Sequence, residues 1–203
     1  MPAHNLEKTS EEAYCEIYQE DLYSHRMRLF SRCCSECARG CACLTGTVRS
    51  IDSASKTISI FTDNGSEGLF KELTNPRVKI DFDKKLRADA STVDTFKDKG
   101  KYVIVYYFGD GSVRTAVALR ELGSGPFTDN LGTVVNLDGR EHLLFIKNKS
   151  GLVKPFKIAS DTVADTDIGV INGFKFQPQK DDQVRVVATM VNGTPTALFV
   201  RTM

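Results

Sequence analysis

The stretch at residues 46–52, Gly46-Thr47-Val48-Arg49-Ser50-Ile51-Asp52, returns 86 residues later as Gly132-Thr133-Val134-Val135-Asn136-Leu137-Asp138. A second agreement follows at an offset of 81, where Val103, Val105, Ala116 and Arg120 match Val184, Val186, Ala197 and Arg201. Each copy also has a glycine, Gly111 or Gly193, at the expected turn between its last two strands. Self-similarity at a nearly fixed spacing indicates a duplicated unit. The alternative is one continuous ten-stranded sandwich.

Both copies show period-two alternation and an enrichment in β-branched and aromatic residues, which predict strands separated by glycine-containing turns. In the first copy we predict strands at residues 46–51, 56–62, 77–82, 101–108 and 112–120, with a short helix within 86–99. In the second we predict strands at 131–137, 142–147, 152–158, 183–191 and 196–202. The predicted fold is therefore mainly β, with two tandem small five-stranded β-barrels, OB-like or SH3-like, at residues 46–122 and 131–203 and a linker at 123–130.

A long amphipathic α-helix is predicted before the first barrel, in an N-terminal segment at residues 1–45 with a cysteine-rich end. Thr9 and Glu12 have the spacing of a capping box, and Gly40 is a natural C-terminal stop. Apolar residues recur between them at three- and four-residue steps, which predicts a stripe along one face. One small barrel would not cover this stripe, so we expect self-association and a homo-oligomer, or a protein partner. The residues expected in this contact are Tyr14, Ile17, Tyr18, Leu22, Leu29 and Phe30.

The overall composition is that of a globular protein. The chain has 203 residues, 27 Lys and Arg against 26 Asp and Glu, and 41% hydrophobic residues, which excludes a disordered tail and a strongly basic nucleic-acid-binding protein. The first residues lack the basic start and apolar core of a signal peptide, and no apolar run approaches the ~20 residues that cross a bilayer. We therefore expect no transmembrane segment and a cytoplasmic location.

The cysteines are unusually crowded, because five of the six lie between Cys33 and Cys43. Four of them, Cys34, Cys37, Cys41 and Cys43, offer thiolates at short spacing for a zinc ion or an iron–sulfur cluster. Three other interpretations stay open. The thiols are small buried side chains, or they are S-acylated beside basic residues on an amphipathic helix, or they form disulfides in an oxidising compartment. The expected cofactor is accordingly none, or zinc or an iron–sulfur cluster.

The first barrel contains the strongest candidate for contact with nucleic acid. Lys99 and Lys101 precede a strand in which Tyr102 and Tyr106 share one face. Aromatic side chains beside lysines are the groups on which single-stranded nucleic acids stack. The second copy replaces these aromatics with valines, and the net charge is only +1, so nucleic acid is not the favoured partner.

The sequence contains no recognisable catalytic motif: the three histidines are scattered, and the glycines lie singly between strands. The expected function is therefore a non-enzymatic binding or assembly protein, in which the helix self-associates and the barrels form a binding or lattice surface. The alternatives are a metal or redox module that uses the cysteines and a single-strand binder that uses the first barrel. An active site of dispersed residues would leave no local signature.

Overall fold

The structure is a computed structural model that describes residues 39–74, 80–81, 86, 89–123 and 125–203. All of these residues belong to one compact unit. In the first half of this unit the strands are β1 (Arg39–Gly40), β2 (Ala42–Asp52), β3 (Thr57–Thr62), β4 (Glu67–Glu72), β5 (Ile80–Asp81), β6 (Tyr102–Phe108) and β7 (Val113–Glu121). The second half contains β8 (Phe127–Asp138), β9 (Leu143–Lys147), β10 (Val153–Thr166), β11 (Gly169–Asn172), a 3-10 turn (Gly173–Lys175), β12 (Gln183–Val191) and β13 (Thr194–Thr202).

The first barrel closes in the order β2-β3-β4-β7-β6, with β6 pairing back onto β2. Every pairing in this ring is antiparallel except that of β4 with β7, which is parallel. The second barrel repeats the pattern with β8-β9-β10-β13-β12, in which β12 pairs back onto β8 and β10 pairs with β13 in parallel. There β10 is longer and also carries β11 on its far end. The two five-stranded barrels predicted from the sequence are confirmed.

The duplication extends to local irregularities of the backbone. The register shifts between Val48 and Ser50 in the first barrel and between Val134 and Asn136 in the second. A residue with positive φ precedes the second strand of each barrel, Lys56 in one and His142 in the other, both at 52°. Such features at equivalent positions follow from two copies of one unit.

Each barrel has its own core of inward-pointing aliphatic and aromatic side chains. The first is built around Val48, Ile58, Ile60, Phe70, Val103, Val105 and Leu119. The second is built around Val134, Leu144, Ile146, Phe156, Val184, Val186 and Val200. The strand alternation that predicted these strands therefore also selects the core residues.

The predicted third strand of the first barrel was wrong, and the interval predicted to hold a short helix is described only in part, with Leu86 helical and residues 87–88 outside the described residues. The third strand is β4 at Glu67–Glu72 instead of residues 77–82, of which only Ile80 and Asp81 are described, in β5. Residues 89–99, the described end of the interval predicted to hold a short helix, form turns and one β-bridge between Ser91 and Leu119. The bridge ties this interval to β7, and Val93 and Phe96 fill the first core as loop residues.

Several boundaries also differ from the prediction. β2 begins at Ala42, before the predicted Gly46, because its ladder with β6 starts at the pair Ala42 and Tyr107. β8 begins at Phe127, inside the predicted linker 123–130, because β12 pairs with it from there on. Residues 39–40 and 42–45 of the predicted N-terminal helical segment are therefore strand residues. The remainder of that segment, residues 1–38, lies outside the described residues.

Candidate functional site

A buried apolar cluster joins the outer surfaces of the two barrels. β6 points Val103 and Val105 into the first barrel, so Ile104 and Tyr106 point outward. They meet Cys43 of β2 and three residues of the second barrel, which are Val163, Val187 and Phe199. All of these outward-facing residues are at most 1% exposed. β6 is therefore apolar on both faces because it has a core on each side.

Polar contacts also cross this boundary. Arg120 of β7 donates to the backbone carbonyl of Asp161 and pairs with its carboxylate, Nη2 to Oδ2, at 3.1 Å. The backbone N–H of Cys43 donates to Oδ2 of Asp165 at 3.3 Å. Burial raises the pKa of Asp165, although Arg201 and this N–H oppose the shift. The boundary is therefore closed by charge-assisted hydrogen bonds as well as by apolar contact.

Asp63, in the turn between β3 and β4, is the centre of a second set of contacts between the barrels. It accepts hydrogen bonds from the Thr45 hydroxyl, from the Tyr102 hydroxyl at 2.6 Å and from the Arg185 guanidinium of β12. Arg185 also donates to Thr45 Oγ1 at 2.9 Å and pairs with Asp129 at 3.0 Å. Burial alone would lower the pKa of Arg185, but Asp129 and Asp63 raise it above its usual value. One arginine of the second barrel is thus held in an acidic cleft of the first.

Arg114 of β7 is a second arginine beside the boundary. Its guanidinium carbon lies 5.0 Å from the ring centroid of Tyr107 and 5.8 Å from that of Phe70. A guanidinium stacked on aromatic rings is oriented by them while its N–H edge remains available to an oxyanion. Burial raises the pKa of Tyr107, and the positive charges of Arg114 and Arg201 act against that shift.

These residues line a groove of about 720 Å³ between the barrels, whose walls include Thr45, Asp63, Tyr107, Arg114, Arg185 and Arg201. The groove's acids are already paired. Asp63 and Asp129 pair with Arg185, and Glu67 pairs with Arg49 at 3.7 Å. In the described part of the chain, Arg114 has ring contacts and no carboxylate partner. Arg185 and Arg201 each have a carboxylate partner, so Arg114 is the arginine of the described groove lining whose N–H groups can meet an anionic group.

The four cysteines proposed as metal ligands are only partly described. Cys34 and Cys37 lie outside the described residues, whereas Cys41 and Cys43 are buried next to the apolar cluster. Burial raises the pKa of the Cys43 thiol, and Asp165 and Cys41 raise it further. Over the residues that the structure describes, no group of three or more His, Cys, Asp or Glu side chains is arranged to hold a metal. The four-cysteine site stays a prediction.

The residues proposed for nucleic acid separate into two environments. Lys99 is exposed, and Lys101 pairs with Glu121 at 2.8 Å. Tyr102 stacks on Phe127, with ring centroids 4.8 Å apart, and Tyr106 is fully buried between the barrels. Base stacking would therefore rest on the partly exposed Tyr102 and the lysines, and it stays a prediction.

The six residues proposed for self-association, Tyr14 to Phe30, all lie outside the described residues. The residues that the sequence analysis missed are Asp63, Arg114 and Arg185. Arg185 had one visible signal, a single charged residue within an apolar strand at the position that Ile104 occupies in the first copy.

Neither a scan of protein-family models nor a search of curated proteins returns a match to this chain. The described residues contain no helix that is long and apolar enough to span a membrane.

Proposed function

We propose that the chain is a non-enzymatic binding or assembly protein, in which the paired barrels form the binding body and the N-terminal segment self-associates. The observation that carries the proposal is the buried cluster shared by the barrels. Contacts between domains are usually more polar and permit relative motion. Burial of Ile104, Tyr106 and Phe199 to 0% exposure supports two barrels that behave as one rigid body. A rigid pair holds the groove between them in a fixed shape.

We further infer that both barrels are of the OB type. In each, the first strand is long and pairs with both the second and the fourth, and the third pairs in parallel with the fifth. This connectivity favours the Greek-key OB barrel over an SH3-like barrel. Because such a fold serves many functions, it supports binding only together with the groove.

The binding part of the proposal assigns an anionic partner group to the groove. Arg114 supplies a cation that has no carboxylate partner among the described residues, and the Tyr107 ring lies against it. Arg185 is already engaged by Asp63 and Asp129, so it fixes the wall of the groove instead of binding the partner. A planar guanidinium held against two rings binds a carboxylate or phosphate with little loss of side-chain freedom.

Sedimentation velocity of the full chain at micromolar concentration tests the assembly part. We expect a dimer or larger species that Leu22→Glu combined with Leu29→Glu converts to monomer, because charges on the predicted stripe oppose its burial. The matched control is Ser24→Glu combined with Ser31→Glu, which adds the same charge on the opposite side of the predicted helix and should leave the oligomer intact. A wild-type protein that sediments as a compact monomer would remove the assembly proposal.

A further inference from the structure

The duplication places the same cleft on both barrels, between the first strand and the hairpin of the second and third strands. In the first barrel Thr45, Thr62, Asp63, Asn64 and Gly68 line it. In the second barrel the residues at the equivalent positions, Leu131, Asn148, Lys149, Ser150 and Lys154, line a separate cleft of about 500 Å³. The two clefts are therefore copies of one surface feature.

The first cleft shows what this feature binds. Arg185, a charged side chain from a strand of the neighbouring barrel, enters it and contacts Thr45 and Asp63. The cleft thus accepts a side chain whose charge is opposite to that of the residue in the hairpin turn. This contact is part of the boundary between the barrels.

The second cleft has the opposite charge. Lys149 replaces Asp63 and Lys154 replaces Gly68, and residues 143–158 contain four lysines and no acidic residue. Asp129 also lines the cleft, but it is paired with Arg185 at 3.0 Å. Among the residues that the structure describes, neither Lys149 nor Lys154 has a side-chain hydrogen bond or ion pair. Their charges are left for a ligand.

Exposed apolar side chains flank these lysines. Leu131 is 49% exposed, Leu152 56% and Val153 44%. Apolar side chains beside charges are typical of a surface that contacts protein, since a polar rim around an apolar centre is the usual arrangement of an interface. The cleft also shares Asp129 and Leu131 with the groove between the barrels, so it continues an existing contact surface.

We propose that the cleft of the second barrel binds an acidic, leucine-containing segment of a partner protein. Carboxylates of the segment pair with Lys149 and Lys154, and its apolar side chains pack on Leu131 and Leu152. The arrangement repeats, with the charges exchanged, the way the first cleft holds Arg185. This assignment rests on the binding role proposed above and names the partner chemistry for the second barrel.

The test is fluorescence anisotropy of a short labelled peptide rich in Glu with interspersed Leu, titrated with the full chain. We expect saturable binding that weakens with salt, and a loss of at least about tenfold in affinity for Lys149→Glu combined with Lys154→Glu, because attraction becomes repulsion at both positions. The matched control, Lys71→Glu combined with Lys97→Glu, makes the same charge change at exposed residues of the first barrel and should bind like wild type.

Three results would overturn the proposal: equal binding by the cleft variant and the wild type, equal binding of a peptide with Lys in place of Glu, or tighter binding of a single-stranded oligonucleotide of matched charge. Sedimentation velocity of the cleft variant distinguishes a failure of the cleft proposal from a failure of the function proposed above. If the cleft variant keeps the oligomeric state of the wild type and no longer binds the peptide, the cleft proposal is supported independently of self-association. If the wild type is a monomer and binds the peptide, the cleft proposal is supported and the self-association proposal is removed.

Discussion

At the scale of single residues, the contact between Asp63 and Arg185 determines how the barrels meet. The two residues are separated by 122 positions in the chain, and their side chains are 21% and 16% exposed. Asp63 also accepts hydrogen bonds from the hydroxyls of Thr45 and Tyr102, so its Oδ2 atom has three donors. Removing the cationic partner of such a partly buried carboxylate destabilises the folded state.

We expect Arg185→Gln to lower the free energy of unfolding by about 1–3 kcal/mol, less than for a fully buried pair because both side chains retain some contact with water. Urea denaturation measures the effect. Arg185→Gln combined with Asp63→Asn should cost less than the sum of the two single changes, since the double variant removes both charges of the Asp63–Arg185 pair, whereas Asp129 loses Arg185 in the single and the double variant alike.

Arg49 provides the control for this prediction. Its pair with Glu67 is 3.7 Å long and its side chain is 61% exposed, so Arg49→Gln should cost below about 0.5 kcal/mol. If Arg185→Gln proves as mild as Arg49→Gln, the hydrogen bonds of Arg185 do not stabilise the contact between the barrels.

At the scale of elements, the sequence predicts a strand well where apolar and polar residues alternate strongly. It predicts a strand poorly where the pairing partners lie far apart in the chain. β12 is predicted with its observed ends, because Val184 and Val186 alternate with the polar Gln183 and Arg185 and β-branched residues continue to Val191. β4 has three charged residues and a glycine among its six, and only Phe70 is buried. It is a strand because β3 and β7 supply ladder partners on its two sides, and the pairing with β7 is not visible in local sequence.

Contacts between residues that are far apart in the chain also limit how much of the candidate site can be predicted from the sequence. Local patterns place Tyr102 and Tyr106 on one face of their strand, and both lie in the same cluster of the structure. They do not reveal that the second barrel covers Tyr106 or that Arg185 reaches Asp63. Such facts depend on how two copies of the fold dock, and docking is set by side chains far apart in the chain.

The glycine that begins each repeated stretch gives an element-scale prediction. A Cβ on Gly46 would lie 2.4 Å from the carbonyl oxygen of Phe61, and one on Gly132 would lie 2.7 Å from that of Lys147. Neither backbone can move without disturbing a ladder, so Gly46→Ala and Gly132→Ala should each cost about 1–3 kcal/mol in chemical denaturation. Gly139→Ala is the control: a Cβ there meets nothing within 4 Å, and the change should stay within about 0.5 kcal/mol. Equal stability of all three variants would contradict the close approach of the strands.

At the scale of the whole molecule, the shared cluster makes the two barrels depend on each other. Ile104 and Tyr106 belong to the first barrel and Phe199 to the second, yet all are fully buried by the same contact. A barrel separated from its neighbour would expose these side chains to water, at a cost of about 1.5–3 kcal/mol for each large apolar residue. The unfolding of one barrel therefore removes part of the stability of the other.

This coupling predicts a single cooperative unfolding transition, to be measured by calorimetry and by hydrogen exchange. Phe199→Ala should cost about 3–5 kcal/mol, because it leaves a cavity among residues of both barrels. The slowest amides of β3 and of β9 should lose protection together, since both exchange through unfolding of the same unit.

Phe61→Ala is the matched control: this ring is 46% exposed, and its removal should cost below about 1 kcal/mol. Loss of protection confined to β9 in Phe199→Ala would show that the barrels unfold separately, and the rigid groove on which anion binding depends would then have no physical basis.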